Sequence, residues 1–403
     1  MKWLIVISRF LPENFGGTYT YVDQFSKALI ARGDEVHIVT TTRRTDLPQK
    51  EVNEGLTVHR VYVERGNMGP YYFNYTQRVT AYINQLDREK KFDYINPHGA
   101  FMVNTSNVRN TLKVVYTLHA VVTYEYLFSL KKIIYKQFFS KETFKALLMA
   151  TVKLPLSYCR EFLAVKNADK IIVMSNYVRG TIKTYLPGIN LDKVFISRIG
   201  IDEKFCTLYD KKQLVSELDV KNKVSFLTVR RLESRMGIDN LITAFSILKK
   251  ANKLDGVKLY IAGKGSLDNY FNKLIKNYTL EDHIELLGFV SDIALRKWYQ
   301  ICDAFIMPTE QLEGFGIVTI EAFASNLPVI ATPAGANPEV AGLFCPELMT
   351  KSATCPQAIA NSIKYYLDNK DSYQERNYAE RAKQIFYWPD IVEEIVAQLA
   401  GNH

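Results

Sequence analysis

Residues 302–332 read "CDAFIMPTEQLEGFGIVTIEAFASNLPVIAT". "CDAFIMP" has the character of a buried strand, Thr309 to Gly316 forms a loop, "IVTIEAFAS" is a helix closed by Asn326, and "LPVIAT" is a second strand. Short β-branched runs separated by helices make a parallel, doubly wound sheet. In open sheets of this kind ligands bind beyond the carboxyl ends of the strands. The loop 309–316 is therefore where chemistry is expected.

The same alternation runs along the whole chain. Strand-like runs occur at "WLIVIS", "EVHIVTT", "TVHRVYV", "FDYINP", "KVVYTL" and "KIIVMS", and a second series begins near Val224 with "VSFLTV", "VKLYIAG", "IELLGF", "AFIMP" and "PVIAT". Helical segments lie between them, such as "TYTYVDQFSKALIARG", which ends on Gly33 as a helix C-cap does. Two successive series predict two Rossmann-like domains facing each other across a cleft, with the join near 193–205. At 403 residues the chain is too long for one ordinary core, which agrees.

Composition excludes several classes. An apolar content of 47% with 23% charged residues is globular, and no repeat or low-complexity tract is present. The five cysteines are scattered, with no CxxC pair and no zinc spacing, which points to a reducing cytoplasm. "MKWLIVISRF" reads as a buried first strand rather than a signal peptide, and no apolar run approaches the length of a membrane span. There is no Asp-x-Asp at a strand end and no His/carboxylate cluster, so no bound metal is expected.

Four strand ends carry candidate chemistry. In "FLPENFGGTYTYV", Gly16 and Gly17 stand at the turn into a helix, where backbone N–H groups accommodate an anion, although an ordinary tight turn uses the same residues. In "FLTVRRLESRMG", Arg230, Arg231 and Arg235 crowd one strand end. They repel one another unless an anion such as a diphosphate compensates, or unless they form a solvated basic loop partly neutralised by Glu233. "LYIAGKGSLDNYF" puts Gly263 and Gly265 after a strand, but Asp268 occupies the third glycine position of a dinucleotide fingerprint, so a tight turn is the safer reading. In the loop at 309–316, Glu313 accepts hydrogen bonds from hydroxyl groups. Gly314, Phe315, Gly316 and Ile317 supply amides at a helix N-terminus, and Glu321 reaches a vicinal diol such as a ribose. The set reads as a holder for a sugar–diphosphate–ribose ligand. A plain helix with an acid in its first turns explains Glu321, but not Glu313 together with two glycines.

"EGFGIVTIEAFASNLPVIATPAGANPEV" resembles the E-x7-E donor signature of the retaining GT-B glycosyltransferases of family 4. The resemblance covers the whole chain, through the Gly-Gly turn, "VRRLESRMGIDNLITAF", "IAGKGSLDNYF", "LLGFVSD" and a last helix after "FYWPD". It implies a GT-B fold: an acceptor-binding domain at 1–195, a nucleotide-sugar domain at 196–385, and a C-terminal helix, 386–403, crossing back to the first. By resemblance Glu313 lies near the donor sugar hydroxyls, Glu321 on the ribose and Arg231 on the phosphates. Arg235 substitutes for a lysine whose position is held here by Met236, and Arg230 stands where the family carries glycine. Phe289 and Val290 match the loop that cradles the base. The linker reads "RIGID" rather than Pro-Asn-Gly.

His119 ends the strand "VVYTL" and matches a family histidine close to the reacting sugar, while His98 ends the neighbouring strand. His37, His59, His283 and His403 read as surface or packing residues. The implied reaction is hexosyl transfer from a UDP- or GDP-sugar to an acceptor hydroxyl, with retention and without metal or other cofactor, in polysaccharide, glycolipid or secondary-metabolite glycoside assembly. Catalysis is expected from His119, Glu313 and Arg231. The alternatives are a nucleotide-sugar-binding protein lacking transfer activity and an NAD-dependent oxidoreductase. No nucleic-acid partner is expected.

The formal charge of +9 is concentrated. Between Leu127 and Lys166, eight Lys/Arg face only Glu142 and Glu161. The basic residues alternate with Phe128, Ile133, Ile134, Phe138, Phe139, Phe144, Leu147 and Leu148, as in helices with one apolar and one cationic side. The plainer reading is two helices packed on the N-terminal sheet. The other is a surface for an anionic bilayer at the inner face of the membrane.

Overall fold

The computed structural model describes residues 1–13, 16–63, 68–99, 105–108, 112–136, 141–207, 209, 211–218, 220 and 223–401. The chain forms two compact units, Met1–Gly200 with Trp388–His403, and Ile201–Tyr387. No described helix is long and apolar enough to cross a membrane.

The first unit holds an eight-stranded sheet. Its strands are β1 (Lys2–Ile7), β2 (Glu35–Thr42), β3 (Lys50–Asn53), β4 (Leu56–Tyr62), β5 (Tyr94–His98), β6 (Lys113–Leu118), β7 (Lys170–Val173) and β8 (Val194–Ile196), in spatial order β3-β4-β2-β1-β5-β6-β7-β8. All neighbours run parallel except β3, which lies antiparallel to β4 at the edge. Trp3 to Val6 of β1 are fully buried, as expected of a central parallel strand covered on both faces. Each such large side chain contributes about 1.5–3 kcal/mol of burial energy. The helix Gly17–Ala31 buries Tyr21, Val22, Phe25, Ala28 and Leu29, one stripe at helical spacing. It ends where Gly33, at φ +92°, returns its N–H to the Ile30 carbonyl. The C-terminal helix Trp388–Ala400 packs against Gly17–Ala31, with the Trp388 ring 5.5 Å from Tyr21.

The second unit holds five parallel strands, β9 (Val224–Val229), β10 (Val257–Ala262), β11 (Ile284–Gly288), β12 (Ala304–Met307) and β13 (Val329–Ala331), in order β11-β10-β9-β12-β13. The order reverses at β1/β5 in the first unit and at β9/β12 in the second. Chain connections diverge to opposite faces at these points and leave a crevice beyond the strand ends. Topology thus singles out the residues after β1, β5, β9 and β12 as ligand-facing.

Candidate functional site

In the second unit the loops after β9, β10, β12 and β13 are pressed together by their glycines. A Cβ on Gly263, after β10, would stand 1.9 Å from the Arg230 carbonyl oxygen, and one on Gly335, after β13, 2.2 Å from that of Glu313. Glycine is required there by close backbone approach, which anchors the loop carrying Arg230 and the loop carrying Glu313 to their neighbours. The Ala336 N–H also donates to the Glu313 carbonyl, at 2.8 Å.

These two loops meet through their side chains. Arg230 Nη2 donates to Glu313 Oε2 and to Thr309 Oγ1, and both partners of the ion pair are nearly buried, at 9% and 12% side-chain exposure. Thr309 Oγ1 also donates to Glu313 Oε2, at 3.3 Å. Arg235 Nη1 donates to the Leu312 carbonyl at 3.1 Å. Of the three expected guanidiniums only Arg231 is exposed. The repulsion inferred from the sequence is therefore relieved mainly inside the protein, by Glu313. Glu233, read as the neutralising acid, instead accepts from the N–H and hydroxyl of Ser266.

Gly316, at φ +90°, caps the helix Ile317–Ala324 without a side-chain bond, and the Thr319 amide turns back to the Gly316 carbonyl at 2.9 Å. Gly314 and Ile317 are half-buried beside it. Phe315 is buried with its ring against Phe386, so it contributes packing as well as backbone. Glu321 is 9% exposed and accepts a 3.0 Å hydrogen bond from Tyr299 Oη. Burial pushes its carboxyl up to about 7, against the lowering effect of the Tyr299 hydroxyl. Phe289, after β11, is 68% exposed, and Val290 is half-buried beside it. The amide of Gly265 is occupied, donating to Asp268 Oδ1 at 2.8 Å. A dinucleotide diphosphate cannot take that amide without displacing a carboxylate.

In the first unit Gly16 lies at φ +139° as N-cap of Gly17–Ala31, and both glycines are exposed. His98 and His119 end β5 and β6 as expected. They are joined: His98 Nδ1 and His119 Nε2 are 2.9 Å apart, and His98 Nε2 is 2.7 Å from Asn96 Oδ1. Tyr21 presents its ring to both, 5.6 Å from His98 and 5.2 Å from His119. Burial lowers both imidazoles, His119 to about 4. His37 and His59 are buried packing residues in a second chain, Glu35–His37–His59–Tyr82, with each link at 2.9 Å. His283 is half-buried near the Val257 carbonyl, and His403 lies outside the described residues.

The sequence matches "Glycosyltransferase Family 4" over residues 15–205 and "Glycosyl transferases group 1" over residues 210–384. The chain belongs to the family 4 glycosyltransferases of GT-B fold. An uncharacterised glycosyltransferase of Methanocaldococcus jannaschii is 25% identical over 352 residues, spanning 84% of this chain and 82% of its own. The phosphatidylinositol N-acetylglucosaminyltransferase gpi3 subunit of Schizosaccharomyces pombe is 24% identical, over 96% of this chain and 78% of that one. The solved structure of Anabaena HepE in complex with UDP-glucose superposes with a TM-score of 0.70 at 20% identity, covering all of both chains.

In this glycosyltransferase the sequence motifs missed three partners. Arg230 stands out in the sequence as a departure from the family, and nothing there marks it as the ion-pair partner of Glu313. Tyr299 sits on the helix Asp292–Ile301, outside every motif. Asn96 lies two residues before His98 in the unremarkable "FDYINP".

Proposed function

We propose that this glycosyltransferase transfers a hexosyl group from a UDP- or GDP-sugar to an acceptor hydroxyl, with retention at the anomeric carbon and without a bound metal. One observation carries the reading. Arg231 and Arg235 follow β9, and Glu313, Gly316, Ile317 and Glu321 follow β12, the two strands at the topological switch point of the second unit. Glu321 takes the ribose diol and Glu313 the sugar hydroxyls, with Arg231, Arg235 and the helix amides on the diphosphate. Phe289 and Val290 flank the base. HepE, bound to UDP-glucose, supports a nucleotide-sugar donor for this fold.

In the reaction the bond from the anomeric carbon to the diphosphate oxygen breaks and a bond to the acceptor oxygen forms on the same face. The acceptor proton passes to the departing diphosphate. Developing negative charge on that diphosphate is what the arginines and amides stabilise. Among the described residues there is no group of three or more His, Cys, Asp or Glu that could hold a metal ion.

The acceptor is taken by the first unit, in the cytoplasm, at an anionic bilayer surface. Phe144, Leu148, Val152, Leu156 and Leu163 lie along one face of the helix Lys141–Lys166, and all are exposed, from 47% to 72%. Apolar side chains at that spacing in water call for a cover. The surrounding sequence charge, eight basic residues to two acidic ones, favours an anionic one. One of the two acids, Glu161, is buried and accepts from the Val122 and Thr123 amides and the Thr123 hydroxyl. It thereby ties this helix to the segment that follows His119. The S. pombe relative is named for a phosphatidylinositol acceptor, which supports a lipid-linked substrate.

The stereochemical test is proton NMR of the fresh product formed from an α-linked nucleotide sugar. A small anomeric coupling, retained from the donor, is expected; a β-linked first product overturns the mechanism.

A further inference from the structure

The ladder between β5 and β6 opens early. Only Tyr94↔Lys113 and Ile95↔Val114 pair, and beyond them Pro97 has no N–H with which β5 could extend the ladder to the Val115 carbonyl. Asn96 fills the gap. It is fully buried, and its Nδ2 donates to the Val115 carbonyl and, at 2.8 Å, to Thr117 Oγ1. A carbonyl oxygen only accepts, so the amide orientation is fixed by Val115 and Oδ1 is left facing His98.

The consequence runs outward through two rings. Asn96 Oδ1 only accepts, so the group 2.7 Å away is His98 Nε2–H. A neutral imidazole carries one proton, so His98 Nδ1 is a bare acceptor. The nitrogen 2.9 Å from it must then be His119 Nε2–H. This leaves His119 Nδ1 unprotonated, with no partner among the described residues, on a half-buried ring at the carboxyl end of β6. Both rings stay neutral because they are packed under Tyr21, itself braced by Trp388 of the C-terminal helix.

We propose that Asn96 and His98 are positioning residues which fix His119 as the Nε2–H tautomer, so that its Nδ1 serves as a hydrogen-bond acceptor for a substrate hydroxyl rather than as a proton donor. The inference rests on the reading of the strand ends as a glycosyl-transfer site. It adds a direction to the bond His119 makes: the hydroxyl donates and the histidine accepts. It also explains why a buried Asn and a buried His stand behind a residue that alone faces the substrate. Without them His119 would sample both tautomers and lose part of its time in a form that repels a donating hydroxyl.

The test uses the full chain with 15N-labelled histidine and long-range 1H–15N NMR near pH 7.5, with no substrate present. The expected result is Nε2–H and bare Nδ1 for both His98 and His119. A protonated Nδ1 on His119, or a doubly protonated ring on either residue, overturns the proposal whether or not turnover has been found. The second arm compares His98→Asn, whose carbonyl oxygen stands where Nδ1 stood, with His98→Leu, which offers no acceptor. The leucine variant is expected to lower kcat/KM roughly tenfold, the scale of one neutral hydrogen bond, and to shift the His119 Nδ1 resonance toward the protonated range. The asparagine variant should retain most of the activity and the wild-type His119 signature. A folded leucine variant with unchanged kcat/KM and unchanged His119 resonances sinks the relay; if that variant does not fold, the wild-type tautomers decide.

Discussion

Replacing Arg230 by methionine removes the guanidinium that faces Glu313 while keeping an unbranched side chain in the space. Both members of the pair are almost fully buried, and Arg230 Nη2 also donates to Thr309. The change therefore leaves the Glu313 carboxylate in a low-dielectric loop with, among the described residues, the Thr309 hydroxyl as its remaining side-chain partner. Breaking a buried ion pair from one side costs about 3–5 kcal/mol. Because Thr309 still serves Glu313, the lower end is expected, about 3 kcal/mol. A chain of two units need not unfold in one step, so a global midpoint is the wrong observable. Hydrogen exchange read by mass spectrometry on peptides covering β9 and β12 reports the opening energy of the affected loops. It should fall by about that amount, with peptides from β1 and β5 unchanged. The double variant Arg230→Met, Glu313→Leu should recover about 2 kcal/mol, since removing both charges leaves no unpaired carboxylate. Additive losses in the double variant, or a loss below about 1 kcal/mol in Arg230→Met, refute the claim that the pair closes this site.

Arg231→Ala should lower kcat/KM about 30-fold, ~2 kcal/mol of transition-state stabilisation from a charge-assisted contact; near-wild-type turnover removes Arg231 from the diphosphate. Activity should persist in excess EDTA, and a loss restored by Mg2+ or Mn2+ contradicts metal-independent transfer. Co-sedimentation with anionic liposomes at low salt, reduced at high salt and absent with neutral liposomes, is expected of the face containing Phe144 and Val152, and equal negligible binding to both liposome types withdraws it. Glu321, raised to about 7, holds its proton more tightly folded than unfolded, so its contribution to stability is present in acid and declines as pH rises from about 4.5 to 7. Glu321→Gln should therefore be relatively more stable than the wild type at pH 8 than at pH 5, by about 3 kcal/mol at most; opening energies from hydrogen exchange, corrected for the intrinsic pH dependence of exchange, on peptides covering Ile317–Ala324 that show no pH-dependent difference would disprove the shift.

The alternating strands and helices were legible because a parallel sheet covered on both faces needs uninterrupted apolar runs, and "WLIVI" or "AFIM" has no other use. The edge strand β3, "KEVN", was not, because an exposed edge carries polar side chains without alternation. The short β8 lay hidden in the stretch read only as a domain join. At the site, the spacing of Glu313 and Glu321 around two glycines was legible because backbone conformation and helix pitch demand it. Their partners were not. Arg230 and Glu313 are 83 residues apart, and Tyr299 is 22 residues before Glu321. Pairings of that range are fixed by sheet order, which no local pattern states. The same holds for His98 and His119, which the sequence placed on adjacent strand ends without their joining bond.

The strand-end residues of the second unit are proposed to hold a nucleotide sugar for transfer. The most direct measurement is nucleoside diphosphate release from a panel of UDP- and GDP-sugars by the wild type and by Glu321→Ala and Arg231→Ala, with NAD binding followed by thermal shift on the same samples. At least one nucleotide sugar should be cleaved by the wild type, with release lost or strongly reduced in both variants and no stabilisation by NAD. Stabilisation by NAD with no cleavage of any nucleotide sugar, or release equally fast in all three proteins, would contradict it.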